Sequence, residues 1–179
     1  MRAKISAAMV IAVTFVGMGG AAWAAHDRYA LSIPDGLSFA EFRGYQQWQN
    51  VAVSATASSV KSIQANPVMI RAYKAGAPGN GQLFPEGSKI AKIEWLKQKN
   101  PLSPYFVEIP QSLKSISFIV KDTKRFPATH GWAYAKFDYD PASDTFKPDS
   151  LSVKGHDCGY ACHTAVAAND YIFTAYPKR

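Results

Sequence analysis

Three stretches of this chain alternate with a period of two, and that alternation fixes the class of fold. Over Lys89 to Lys97, Ala91, Ile93 and Trp95 share one face, and Ile90, Lys92, Glu94 and Leu96 share the other. Over Leu113 to Lys121, Ile116, Phe118 and Val120 fall together. Over Gly131 to Tyr139, Trp132 and Tyr134 oppose Ala133, Ala135 and Phe137. A helix would scatter each of these sets around its circumference, whereas a strand sends successive side chains to opposite faces. Gln49 to Ser58 is small and partly alternating and reads as a further strand. The β-branched and aromatic run Tyr171 to Tyr176 reads as the last one.

Helical signals are few. Asn66-Pro67 is an N-cap followed by proline in the first turn, and Gly76 is the stop. Leu37 to Trp48 reads as a helix or broken helix. Gly76 to Gly87 is a turn-rich loop. The expected fold is α+β and β-dominated, an antiparallel sheet with a few short helices around one core.

The chain opens with Met1-Arg2-Ala3-Lys4, an apolar run from Ile5 to Gly19 and the small-x-small site Ala22-Trp23-Ala24. This is the pattern of a secretory signal peptide over residues 1–24, which predicts export to the periplasm and a single domain over residues 25–179. The run is short for a stable membrane span, and no later segment is apolar enough to be one. Loss of Arg2 and Lys4 with the leader lowers the formal charge from +7 to +5. The remaining lysines are scattered, so nucleic acid is a poor partner. The charge supports only weak attraction to acidic redox partners or membrane surfaces.

Both cysteines lie in "HDCGYACHTAV", His156 to Val166. Four chemistries are open to them. A disulfide would close a short, strained ring that restrains little of the unfolded chain. Zinc or copper could draw on Cys158, Cys162, His163 and His156, but one short loop rarely wraps all four positions. A thiol-redox pair would need a shorter spacing and a different surrounding fold. The fourth is covalent haem, whose attachment signature is C-x-x-C-H. Here the spacer is one residue longer, and Gly159 supplies backbone freedom for the bulge. The Cys-His adjacency that places the axial ligand is intact. On this reading Cys158 and Cys162 form thioethers and His163 is the proximal iron ligand.

Nothing after His163 could complete the iron as a methionine would. Beyond residue 24 the only Met is Met69, within the apolar pattern of the Asn66-Pro67 helix and read as core. His26 is at the start of the exported chain, His156 is too close to His163, and His130 sits in an exposed turn. The expectation is a five-coordinate haem with one open face, suited to binding small ligands.

Three blocks carry a resemblance to a known family: "FPEGSKIAKIEW" (Phe84 to Trp95), "VKDTKRFPATHGWAYAKFDYD" (Val120 to Asp140) and "CGYACHTAVAANDYIFTAYPKR" (Cys158 to Arg179). In order and spacing they resemble the cytochrome P-460 family, which includes the β-sheet-type cytochromes c′. The likeness runs from about Leu31 on. It implies one covalent haem c on a β-rich fold, an open distal site and a homodimer.

In P-460 cytochromes a lysine is also bonded to a haem meso carbon, and the position resembling it is Lys92. The position resembling a distal arginine is Lys61. The resemblance implies oxidation of hydroxylamine to nitrous oxide, with electrons passed to a redox partner cytochrome. The alternative it implies is a cytochrome c′-like protein that binds nitric oxide without the cross-link. Oxidation calls for a distal carboxylate, for which Asp140, Asp144, Asp149 and Asp157 are the acids at hand. Gas binding calls for an apolar pocket, for which Trp48, Phe106, Phe118 and Trp132 are the aromatics at hand.

Overall fold

Six strands form one antiparallel sheet in the order of the sequence: β1 (Gln49–Ala55), β2 (Ser59–Ala65), β3 (Lys89–Lys99), β4 (Glu108–Lys121), β5 (Trp132–Asp140) and β6 (Thr145–Pro148). The structure is a computed structural model and describes residues 27–157 and 159–178. The leader expected over residues 1–24, His26 and Cys158 lie outside the described residues. Among the described residues no helix is long and apolar enough to cross a membrane.

The alternation sorts the side chains onto two covered faces. On one, Ala91, Ile93, Ile116, Phe118, Val120, Ala133, Ala135 and Phe137 meet Ile33, Leu37, Phe39, Phe42 and Tyr45 from the preceding segment. That segment is not one helix. It forms 3-10 turns at Phe39–Phe42 and Tyr45–Gln47, broken at Gly44, whose φ of +83° suits glycine. Phe39 is its anchor, with ring contacts to Tyr29, Tyr45, Phe118, Phe137 and Phe146.

On the other face, Ile63, Ile90, Trp132 and Tyr134 pack with Met69, Ile70, Tyr73, Phe84 and Ile172. Helix α1 (Pro67–Lys74) lies here. Its cap is the one expected: the Asn66 Oδ1 accepts from the Met69 N–H at 3.1 Å. The same oxygen accepts from the Lys89 N–H, and the Asn66 amide donates to the Gly87 carbonyl, so the helix start is tied to the start of β3. Met69 is fully buried, as a core residue.

Tyr171 to Tyr176 is not a strand. The segment from Ile172 on is extended but pairs with no sheet edge. Its carbonyls serve side chains instead: Thr174 accepts from the Tyr73 hydroxyl at 2.7 Å, and Tyr171 accepts from His163. Strand-like composition there reflects a half-buried extended segment lying over the sheet rather than a ladder within it. The sheet instead gains β2 and β6, which are too polar or too short to stand out in the sequence.

Candidate functional site

Strand register brings distant residues into one row. Ile63 on β2 pairs with Lys92 on β3, Lys92 with Ser117 on β4, and Ser117 with Lys136 on β5. Directly paired residues of antiparallel strands share a face. The neighbouring row is Ile90, Ile119 and Tyr134. On the other side of Lys92, Lys61 pairs with Glu94. These rows form the floor of a cavity of about 380 Å³. Its other walls are Asp149 and Leu151 after β6, Gly159, Cys162 and His163 of the cysteine motif, and Ile172 to Thr174 of the tail.

The motif is held over this floor by a short helix, α2 (Tyr160–His163), started by the Tyr160 N–H donating to the Asp157 carbonyl at 2.8 Å. Gly159 has φ −93° and ψ −16°, an ordinary helical conformation. Backbone freedom is therefore not what this glycine supplies. A Cβ there would lie 2.7 Å from Cγ of Tyr134, so glycine is needed for the close approach of motif and sheet.

His163 stands between Tyr134, at 4.6 Å between ring centroids, and Phe173, at 4.9 Å. Its Nδ1 is 2.5 Å from the Tyr171 carbonyl oxygen. A carbonyl only accepts, so Nδ1 carries the hydrogen and Nε2 keeps its lone pair for a metal. Burial holds the imidazole below its ordinary pKa; the charge of Lys92 acts in the same direction, and the Tyr171 bond opposes them. Such a ring is neutral at pH 7, the form that ligates.

Lys92 makes no ion pair among the described residues. Burial, and then the charge of Lys61, lowers its pKa, with Glu94 opposing. That favours the neutral, nucleophilic amine. Lys136 is paired, 2.9 Å from Asp138 and 3.4 Å from Asp149. Asp149 is 7% exposed, and its Oδ1 accepts from the Ser152 N–H at 2.7 Å. Its carboxyl lies below the usual range: burial pushes it up, but the Ser152 bonds and the Lys136 charge outweigh that.

The structure thus brings together Lys61, Lys92, Cys162 and His163, and it selects Asp149 from the four acids. Asp140 and Asp144 instead belong to the exposed β5–β6 turn, and Asp157 is exposed beside α2. None of the four aromatics turns its ring into the cavity: Phe118 is fully buried on the opposite face, against Phe39 and Phe42. Trp48 packs on Phe42, Phe106 is 77% exposed, and Trp132 is fully buried in the core. His156 packs on Phe126, and His130 is exposed with its Nδ1 against the Tyr160 hydroxyl. Tyr134, Lys136 and Phe173 are site residues that the sequence did not single out. Lys92 and Lys136 belong to the same period-two pattern, but only the register places them in one row, on either side of Ser117.

The donor set fits an iron porphyrin. One imidazole has its tautomer fixed and its Nε2 free. A free, exposed Cys162 thiol lies one residue before it. The walls are apolar at Ile63, Ile90, Ile119 and Ile172, and Lys61 at the rim of the floor can supply counter-charge for a carboxylate. No curated protein matches the chain. The family model described as Cytochrome P460 matches residues 42–174, most of the described structure. With its β-dominated sheet and a cavity that fits haem, the chain belongs to the cytochrome P460 family of haem proteins.

Proposed function

We propose that this protein is an exported cytochrome with one covalent haem c, held by Cys158 and Cys162 and ligated by His163, that oxidises hydroxylamine to nitrous oxide. The observation that carries the reading is the convergence of His163, Lys92 and Asp149 on one cavity. Bound there, haem iron supplies an open coordination position for a small nitrogenous ligand and takes up its electrons. Conversion of two hydroxylamines to nitrous oxide and water releases four protons and four electrons, the electrons leaving to a redox partner cytochrome. Asp149, ionised and hydrogen-bonded, accepts protons at the cavity wall, and Lys136 holds its carboxylate in place.

Lys92 is the lysine for a bond to the haem edge. Its central place on the floor supports that role, and burial, with the charge of Lys61, weakens the amine's hold on its proton. Bond formation replaces a meso C–H and an amine N–H, so the linked protein is lighter by two hydrogens, which leave as two protons and two electrons, the electrons passing in single steps to the redox partner cytochrome.

The second reading is a nitric-oxide-binding protein of the cytochrome c′-beta type, without the bond. The isoleucine walls favour it, since a small neutral gas needs little else. In either case a homodimer is expected, and the exposed Leu102, Tyr105 and Phe106 between β3 and β4 offer it apolar surface.

Intact mass and the ferrous spectrum of periplasmically matured protein decide between the two. A strongly red-shifted Soret band, a mass lower by two hydrogens and loss of both in Lys92→Ala support the enzyme. An ordinary high-spin spectrum, unchanged in Lys92→Ala, leaves the gas-binding reading. Matured protein with no covalent haem overturns both.

A further inference from the structure

Asp170 is a buried acid outside the cavity, tied to three separate segments of the chain. It is 2% exposed, and both carboxylate oxygens are in use. Oδ2 takes Lys121 Nζ at 2.6 Å and the Phe84 N–H at 2.8 Å, and Oδ1 takes the Trp132 indole N–H at 3.1 Å. The three donors come from the end of β4, the start of β5 and the loop before β3. Lys121 is 4% exposed, so the ion pair is closed to water. Lys121 and Trp132 are themselves a registered pair. The carboxylate is thus tied to two paired central strands and to the loop that leads into a third.

One peptide further on is the Tyr171 carbonyl that accepts from His163 Nδ1. Asp170 and Tyr171 both adopt left-handed conformations, with φ of +50° and +62°. Two such residues in succession are strained unless the surroundings hold them. The turn is closed by the Asp170 N–H to Ala167 and the Tyr171 N–H to Val166. Those bonds are local to the segment. Ile172 packs on this face of the sheet and Tyr171 stacks on His130, but the Asp170 carboxylate is the polar tie of the turn to the strands, one peptide from the Tyr171 carbonyl it helps to aim.

We propose that Asp170 is a positioning residue for His163: its buried pairing with Lys121 and Trp132 aims the Tyr171 carbonyl at Nδ1 and so sets the donor strength of Nε2 toward iron. A firm Nδ1–H bond raises the basicity of a ligating imidazole, and a loosened one lowers it. The inference rests on His163 as the iron ligand. It concerns how strongly that ligand donates, a property that packing alone does not set.

The test uses haem-loaded, exported protein and two readouts, the iron–histidine stretching frequency of the ferrous state and the reduction potential. In Asp170→Asn the stretch moves to lower frequency and the potential rises. Trp132→Phe, which removes one bond to the same carboxylate, gives smaller shifts in the same directions. Glu41→Gln, a destabilising change on the far face of the sheet, moves neither. If Asp170→Asn lowers the melting temperature but leaves both readouts at wild-type values, Asp170 is merely structural and the proposal fails. If that variant yields no folded protein, Trp132→Phe decides alone, and unchanged readouts there overturn the proposal. A wild-type protein lacking any iron–histidine stretch overturns the ligand assignment, and this proposal with it.

Discussion

The ring of Tyr134 lies against the imidazole of His163, centroids 4.6 Å apart and planes tilted by 47°, and Gly159 is what lets them meet. A side chain at Gly159 would meet Tyr134 from the motif side, at 2.7 and 2.8 Å from two ring carbons and 2.9 Å from Cβ. Gly159→Ala must therefore push α2 off the sheet or turn Tyr134 aside. Overpacking of this kind costs about 1–3 kcal/mol. Thermal unfolding of the variant should show that loss, and the ratio of haem to protein absorbance should fall in the matured protein. A fully stable, fully loaded Gly159→Ala would mean that the contact is looser than the geometry indicates.

Phe39 stands on the opposite face of the sheet from the cavity. It is fully buried and edge-on or tilted against five other rings. Phe39→Ala leaves a hole that rigid strands cannot close, for a cost of about 3–5 kcal/mol. Denaturant unfolding measures it. The haem spectrum of the surviving folded fraction should be that of wild type, because the sheet separates Phe39 from His163. A change in the spectrum would show that the two faces are coupled.

Glu41 gives a pH test. Its carboxylate takes Arg125 on both oxygens, at 2.7 and 3.3 Å, and the Ser38 N–H at 2.9 Å. Burial raises its pKa, but these partners outweigh burial and hold it below the ordinary 4.5. A depressed carboxylate pKa adds stability that is fully present above the unfolded value and is lost as pH falls through the folded one. The pair is partly exposed and screened, so its contribution is roughly 0.5–1 kcal/mol. Glu41→Gln should lower stability at pH 7 by that amount. The difference should shrink below pH 4.5, toward zero once the wild-type carboxyl is protonated. A gap that persists undiminished at low pH would mean that packing, not charge, is responsible.

The strands that form the cavity floor were legible because each side chain's face follows from its neighbours. Lys92 falls between Ala91 and Ile93, and Tyr134 between Ala133 and Ala135, so their common burial pattern is written locally. Register is not local. That Lys92 sits beside Ser117, with Lys136 one strand beyond in the same row, depends on how long the connecting turns are and where the bulges near Trp95 fall. Asp149 was one of four equivalent acids until β6 brought it over the floor, and Lys136 was an ordinary strand lysine. The tail departs from its strand-like sequence for a related reason. Tyr171 to Tyr176 has strand composition, but whether an extended segment pairs or merely covers is decided by what edge is free, a property of the whole sheet. Cys162 and His163 needed no fold to be noticed, whereas the carbonyl that orients His163 became visible only in three dimensions.

Asp149 separates the catalytic from the binding reading. It is the acid on the cavity wall, and Asp149→Asn is nearly isosteric and can still accept from the Ser152 N–H, so the turn after β6 survives. What it removes is the negative charge beside Lys136 and the site that can take a proton. If Asp149 carries protons from hydroxylamine, kcat should fall by on the order of a hundredfold, the low end for a lost general base, with haem content and spectrum intact. The wild-type carboxyl lies below its ordinary pKa, so it is ionised over the neutral range. Its contribution to rate should therefore be flat near pH 7 and decline only in acid, and the variant should lack that acid limb. Steady-state oxidation of hydroxylamine with an artificial electron acceptor, followed from pH 4 to 8, gives both numbers. If the variant turns over as fast as wild type across that range, Asp149 is a structural cap. If neither protein turns over while both bind nitric oxide alike, the cavity is a gas-binding site.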